Sequence, residues 1–224
     1  VLQERLNQVE ERIQKAVARA GRSRESVTLV AVSKKFPPDV LREAYALGLR
    51  VFGENYVQEF EQKRPALDDL AGAQYHLIGH LQSNKTRVAA DLFQVVETVD
   101  SEKLARRLDG HVAEAGRPTL EVMIEVKLSH EEAKHGCDPE HLASLVTVIR
   151  ACPHLQLTGL MTMPPWDDDP EKTRPYFRKL AALAREHGLA KLSMGMSHDF
   201  EAAIEEGATL IRVGTALFGP RRKD

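Results

Sequence analysis

The sequence predicts a single (β/α)8 barrel of the α/β class, carrying an extra N-terminal helix. Three observations support it. Short apolar runs alternate with longer amphipathic stretches along 224 residues. Eight such runs can be placed, the number that closes a parallel barrel. No Pro-, Gly- or Ser-rich linker divides the chain, so residues 1–224 are expected to form one domain. Alternation of strand and helix argues for parallel pairing, because each helix returns the chain to the same sheet edge. The rival, an open doubly wound sheet, would leave unpaired edges.

The elements follow in order. Leu2, Leu6, Val9, Ile13, Val17 and Ala20 recur at steps of three and four and trace one face of a helix over 1–20, which Gly21 stops. Strands are expected at 27–34, 50–54, 75–80, 93–99, 120–127, 156–163, 191–197 and 210–218. Helical patterns separate them at 39–47, 55–63, 84–90, 101–115, 139–150, 171–187 and 198–206. The segment from Pro164 to Pro170, with Trp166 and three consecutive aspartates, follows strand six and is expected to be a loop at the barrel mouth. Residues 219–224 are too few for an eighth helix, so the helix at 1–20 is expected to cover that gap.

Composition narrows the function. Apolar residues make up 42%, and the formal charge of −2 provides no positive field for a phosphate backbone, so no nucleic-acid partner is expected. Arg221, Arg222 and Lys223 read as a solvated tail. Cys137 and Cys152 form neither a disulfide framework nor a metal cluster; reduced thiols and a cytoplasmic setting fit them. No stretch is long and apolar enough for a membrane span, and the charged, amphipathic N-terminus is unlike a signal peptide.

No metal ligands are expected from local spacing. HEEAKH, from His130 to His135, has one residue more than H-E-x-x-H, and two histidines five apart on a helix point about 140° away from each other. His76 and His80, four apart on a strand, stand about 13 Å apart. The remaining histidines read as surface or helix-end residues, and Asp167 to Asp169 as a solvated acidic loop.

The chemistry-bearing stretch is VTLVAVSKKF at 27–36. Side chains alternate across a strand, so Thr28, Val30, Val32 and Lys34 share a face. If Val30 and Val32 line the interior, Lys34 points inward at the C-terminal mouth, where such barrels place their chemistry, and Lys35 points away. Lys34 is then either an ordinary strand-end cation or an amine partly removed from water. In the second case its pKa is lowered and it is nucleophilic towards an aldehyde.

An anion site is expected at the same mouth. Barrels often hold phosphate in the loops after strands seven and eight. Strand seven ends in Met194-Gly195-Met196-Ser197, with Ser197 expected to cap the next helix; strand eight reads Ile211-Arg212-Val213-Gly214-Thr215. Gly214 lets backbone approach a ligand, and Thr215 adds a hydroxyl. Arg212, on the inward face, needs an acceptor: an internal acid such as Glu54, or a cofactor's ring nitrogen.

Six ordered blocks carry a wider likeness: AVSK at 31–34, FGENYVQE at 52–59, HLIGHLQSNK at 76–85, GLMTM at 159–163, LSMGMSHDFEAAI at 192–204 and IRVGTALFG at 211–219. In these blocks the sequence resembles the pyridoxal phosphate homeostasis protein family, small barrels like the N-terminal domain of alanine racemase (fold type III among pyridoxal-phosphate proteins). The resemblance implies that pyridoxal 5'-phosphate is the cofactor and forms a Schiff base with Lys34. It implies that Met196, Ser197, Gly214 and Thr215 hold the phosphate, that Arg212 faces the pyridine nitrogen, and that Asn55, His76 and Asn84 line the ring side. Where the family often has threonine after the lysine, this chain has Lys35.

The function implied is a carrier or buffer in vitamin B6 homeostasis without robust catalysis, a monomer or weak dimer, with pyridoxal-phosphate-dependent apo-enzymes as possible recipients. The alternative is an amino-acid racemase. Two-base racemisation needs a second proton carrier, which similar racemases draw from an added β-domain. The sequence ends without such a domain, and Tyr56, just past strand two, is the one tyrosine placed to substitute.

Overall fold

Eight short parallel strands close into a barrel in chain order: β1 (Thr28–Val32), β2 (Val51–Glu54), β3 (Gln74–Leu77), β4 (Val95–Val99), β5 (Leu120–Glu125), β6 (Leu155–Met161), β7 (Lys191–Ser193) and β8 (Leu210–Val213), with β8 pairing back onto β1. The computed structural model of the protein describes residues 1–130 and 135–220. Its helices are α1 (Leu2–Arg19), α2 (Pro38–Ala46), α3 (Val57–Lys63), α4 (Thr86–Leu92), α5 (Glu102–Glu114), α6 (Leu142–Ala151), α7 (Arg174–Glu186), α8 (Phe200–Glu205) and α9 (Thr215–Phe218). The basic residues at 221–223 lie outside the described residues. No helix among the described residues is long and apolar enough to cross a membrane.

The strand pleat sorts side chains into two cores. Leu29 and Ala31 face the helical layer and join the large outer cluster with Leu41, Phe52 and Phe60. Val30 faces the other way and packs with Val95, Met123 and Leu210 in a small plug inside the barrel. The other buried residues of the strands include charged ones, Glu97, Glu125 and Arg212 among them. An interior of this kind leaves acceptors and donors that must satisfy one another.

Helix α1 buries Leu2, Leu6, Val9, Ile13, Ala16 and Val17, and it packs against α8 and α9. Each large apolar side chain so buried contributes about 1.5–3 kcal/mol relative to exposure. The expected gap-covering role is therefore what α1 performs. Arg12, on its flank, lies over the Phe200 ring at 4.1 Å and donates from Nη2 to the Ser197 carbonyl at 2.8 Å. Arg22, just beyond, donates to the carbonyls of Ile204 and Ala208.

Several strands are shorter than the sequence pattern implies. Strand seven stops at Ser193, and strand eight stops at Val213. Residues 215–218 form the helical turn α9 rather than more strand. Leu217 and Phe218 are apolar because that turn packs under α1, and a short apolar run does not distinguish strand from helix. Residues 83–85 form a 3-10 turn, so α4 begins at Thr86 rather than at 84.

Candidate functional site

Strand β1 delivers Lys34 to the mouth as its alternation requires. Val30 packs inside the barrel, and Val32 and Lys34 line one cavity of about 300 Å3 at the C-terminal end. The chain then turns sharply. Lys35 has φ 64°, the left-handed conformation, and is the one non-glycine residue so placed among those described. Its backbone N–H donates to the Glu59 carboxylate. An unbranched side chain is a less costly occupant of that conformation than a β-branched one, and the turn sends the Lys35 side chain away from the mouth into solvent.

The backbone beneath Lys34 is fixed from the helical side. Ser33 is fully buried, its Oγ donating to Glu54 Oε1 at 2.9 Å and its carbonyl accepting from Lys63 Nζ at 3.0 Å. Lys63 in turn meets both oxygens of Glu54 at 3.1 and 3.3 Å. Burial pushes the Glu54 carboxyl above its usual range, while the charge and hydrogen bond of Lys63 pull it back. Glu54 is therefore committed to Lys63, so of the two acceptors open to Arg212 on the sequence, Glu54 is not the one it meets among the described residues.

The anion side of the cavity comes from the last two strand ends. Ser197 does not cap α8: Asp199 precedes that helix, and its Oδ1 accepts from the Met196 N–H at 2.8 Å. The Ser197 hydroxyl instead accepts from the backbone N–H groups of Gly214 and Ala216 at 3.3 and 3.2 Å. Two N–H donors thus converge on one oxygen, with Thr215 between them lining the same cavity. Gly195 lets the chain entering this corner pass close against α8. It sits at φ 95°, and a Cβ there would lie 2.6 Å from the Ala203 Cβ.

Opposite, Asn55 lines the cavity, and its buried Oδ1 has no hydrogen-bond partner among the described residues. Its backbone is approached so closely by Gly79 that a Cβ at Gly79 would lie 2.1 Å from the Asn55 carbonyl oxygen. Met163, Trp166 and Met196 complete the lining, so the loop after β6 does stand at the mouth. Of the two other ring-side residues, Asn84 is exposed on the 3-10 turn and does not line the cavity. His76 is buried in the barrel interior, away from that lining, because β3 turns it towards Glu97.

That interior contains residues the sequence reading missed. His76 Nδ1 lies 3.1 Å from Glu97 Oε2, and Arg212 donates to Ser193 Oγ at 2.7 Å and to the Thr162 carbonyl at 2.8 Å. Burial raises the Glu97 carboxyl, but the His76 hydrogen bond and the Arg212 charge outweigh it and leave the group below its usual value. Glu125 is different. Burial, then the neighbouring Asp100 charge, push it up to about 7 against the pull of Arg212. An acid within a β-branched run, as in VVETV, is the sequence signal that could have found Glu97.

Glu125 sets a pH dependence of stability. Its folded pKa is raised, so between its ordinary value of 4.5 and about 7 the folded state binds the extra proton. Stability therefore falls as pH rises through that window, by about 3 kcal/mol. Urea unfolding of Glu125→Gln should be flatter than wild type between those pH values. Parallel pH profiles would remove Glu125 from this role.

The sequence expected no metal ligands, and the local argument holds only for local pairs. His130 and His135 are not helical, and residues 131–134 between them lie outside the described residues. His135 meets His80 instead, their rings stacked with centroids 3.6 Å apart. Cys137 and Cys152 are free and buried, and burial pushes the Cys137 thiol up to about 11.

Comparison with known proteins adds an independent line. The family model described as alanine racemase, N-terminal domain, matches residues 5–222. A pyridoxal phosphate homeostasis protein of Aquifex aeolicus (strain VF5) is 47% identical, the match covering 98% of each chain. The structure of PipY of Synechococcus elongatus PCC7942 with PLP bound superposes with a TM-score of 0.87 at 39% identity, over 98% of this chain and all of that one. Alanine racemase from Corynebacterium glutamicum shares the fold at a TM-score of 0.69 and 23% identity, with 61% of its length covered.

Proposed function

The chain belongs to the pyridoxal phosphate homeostasis protein family, on the alanine racemase N-terminal-domain fold, and from that premise we propose that it binds pyridoxal phosphate at the barrel mouth, through a Schiff base on Lys34, as a carrier or buffer of that aldehyde. The observation that supports this most is a coincidence of place. Lys34, the Ser197–Gly214–Thr215 corner and the unpartnered Asn55 oxygen all line one cavity.

The residues present fit the group. The Gly214 and Ala216 N–H groups, which converge on the Ser197 hydroxyl, make this corner rich in backbone donors of the kind that cradle a phosphate, and the hydroxyl they hold would be a further phosphate contact. Asn55 brings an acceptor in need of a donor. Arg212 is the residue that would face the ring nitrogen, its guanidinium oriented by Ser193 and Thr162. When bound, pyridoxal phosphate supplies an aldehyde and a conjugated ring able to take up electrons. A protonated guanidinium facing the ring nitrogen keeps that nitrogen unprotonated and weakens the electron uptake, which suits holding over carbanion chemistry. Ser33, Glu54 and Lys63 hold the Lys34 backbone, and Met163 and Trp166 supply apolar wall at the open side of the cavity. Tyr56 lines a neighbouring cleft with Gln58, Gly79 and Lys85, not the cavity of Lys34, so no observation favours racemisation.

The test is chemical. Protein mixed with pyridoxal phosphate, reduced with borohydride and digested should carry its adduct on Lys34, and the visible absorbance should vanish in Lys34→Ala. An adduct on Lys35 or on a surface lysine, with colour retained in Lys34→Ala, would overturn the assignment.

A further inference from the structure

The loops after β3, β4 and β5 stand side by side at the mouth, because those strands are neighbours in the barrel. They bring together His80, Asp100 and His135, whose ligand atoms all lie within 4.8 Å of one another. The two imidazoles are stacked, their planes 9° apart. We infer that this cluster is a divalent transition-metal site of zinc type, a separate feature from the Lys34 cavity.

The ligand set is two imidazoles and one carboxylate, the donors that zinc and its borderline neighbours take in preference to magnesium or calcium. A tetrahedral ion with bonds of about 2.0–2.1 Å needs its ligand atoms about 3.3 Å apart and in the plane of each ring, so metal uptake must break the stack and turn the exposed imidazoles to aim both lone pairs at one point. Three protein ligands leave a fourth position for water or a small anion, as in open zinc sites.

The surroundings hold two of the three ligands in place. Asp100 follows directly on β4 and is half-buried, and its Oδ2 accepts from the Gly136 N–H at 3.2 Å, leaving Oδ1 to coordinate. Segment 135–137 is tied to the end of β5: Cys137 N–H donates to the Glu125 carbonyl at 2.8 Å, and Lys127 N–H to the Cys137 carbonyl at 2.9 Å. His135 is therefore anchored by backbone pairing two residues away. A carboxylate with a backbone donor behind it is the outer-shell arrangement that orients metal ligands.

Placement gives the site a use. His80 and His135 line a second cavity of about 340 Å3 that shares Met163, Trp166 and Met196 with the cavity of Lys34. An ion there would set a fixed positive charge at the wall between the two compartments, and a small carboxylate-bearing molecule entering the second would meet it.

The test is Zn2+ titration by calorimetry after chelator dialysis, on wild type, His80→Ala, His135→Ala, Asp100→Asn and His141→Ala, the last removing the exposed cluster of Asp138, Glu140 and His141. Wild type is expected to take up a single equivalent at micromolar affinity or tighter. Each of the first three variants should bind at least about tenfold more weakly, and His141→Ala should match wild type. Co2+ substitution should give the visible absorption of a four- or five-coordinate ion, lost in His80→Ala. Circular dichroism on each variant separates ligand loss from misfolding. Uptake equal in wild type and a folded His80→Ala/His135→Ala double variant, or lost only in His141→Ala, would overturn the site. No uptake by wild type would do the same, and neither result touches the pyridoxal phosphate assignment, which is read from absorbance and the Lys34 adduct.

Discussion

Lys63→Met is expected to destabilise the protein by about 3–5 kcal/mol, the cost of stranding a buried charge. Glu54 is fully buried and Lys63 nearly so, and they meet behind β1. Methionine preserves the side chain's bulk but leaves Glu54 with only the Ser33 hydroxyl. Burial already raises this carboxyl, so loss of the ammonium raises it further. The sign follows from linkage: a carboxyl with a raised folded pKa loses stability as pH climbs above its unfolded value, so the defect should deepen from acid towards neutral pH. Urea denaturation at pH 5 and pH 8 measures it. Adding Glu54→Leu should recover most of the loss, since an apolar pair can replace a buried ion pair at little cost. A single Lys63→Met variant as stable as wild type at both pH values would show that the pair contributes nothing. Because Lys63 also holds the Ser33 carbonyl, pyridoxal phosphate capture by the folded fraction should weaken as well.

Arg212→Met should be as damaging, for a related reason inside the barrel. Its guanidinium is 2% exposed and is the cation whose charge bears on both Glu97 and Glu125. Without it, two interior carboxyls lose their counter-charge, and Ser193 Oγ and the Thr162 carbonyl lose a donor. A loss of about 3–5 kcal/mol is expected, smallest near pH 5, where Glu125 is protonated, and growing to pH 8. Arg212→Lys should recover only part of it. It restores charge but lacks the planar fork that reaches both oxygens at once. Equal stability of the lysine variant and wild type would make the role one of charge alone.

Much of this was legible in the sequence, and the reason is the period of two. In TLVAVSK, faces assigned by alternation put Lys34 inside, and the structure keeps that assignment because Val30 is held in the interior plug. The same rule put Arg212 on the inner face. What failed was end geometry. Ser197 looked like a helix cap because its neighbours are acidic, yet the turn closes at Asp199 and frees the hydroxyl for Gly214 and Ala216. Asn84 and His76 were grouped with Asn55 by the family resemblance alone, but the 3-10 turn exposes one and the inward pleat of β3 buries the other against Glu97. The stack of His80 on His135 was invisible, since contacts between distant loops leave no local period to read.

Helix α1 has one further consequence. Its apolar face packs on α8 and α9, and β1 completes its pairing with β8. Synthesised before all of these, α1 and the β8-facing edge of β1 therefore have no native partner to rest against until α8, β8 and α9 have been made. Until then a sticky amphipathic ribbon and an open sheet edge stay exposed, which favours slow, late closure and makes the nascent chain a client for holding factors. Ring closure and the seating of α1, with its Arg12 grip on the Ser197 carbonyl, are then a single event that waits on β8 and α9.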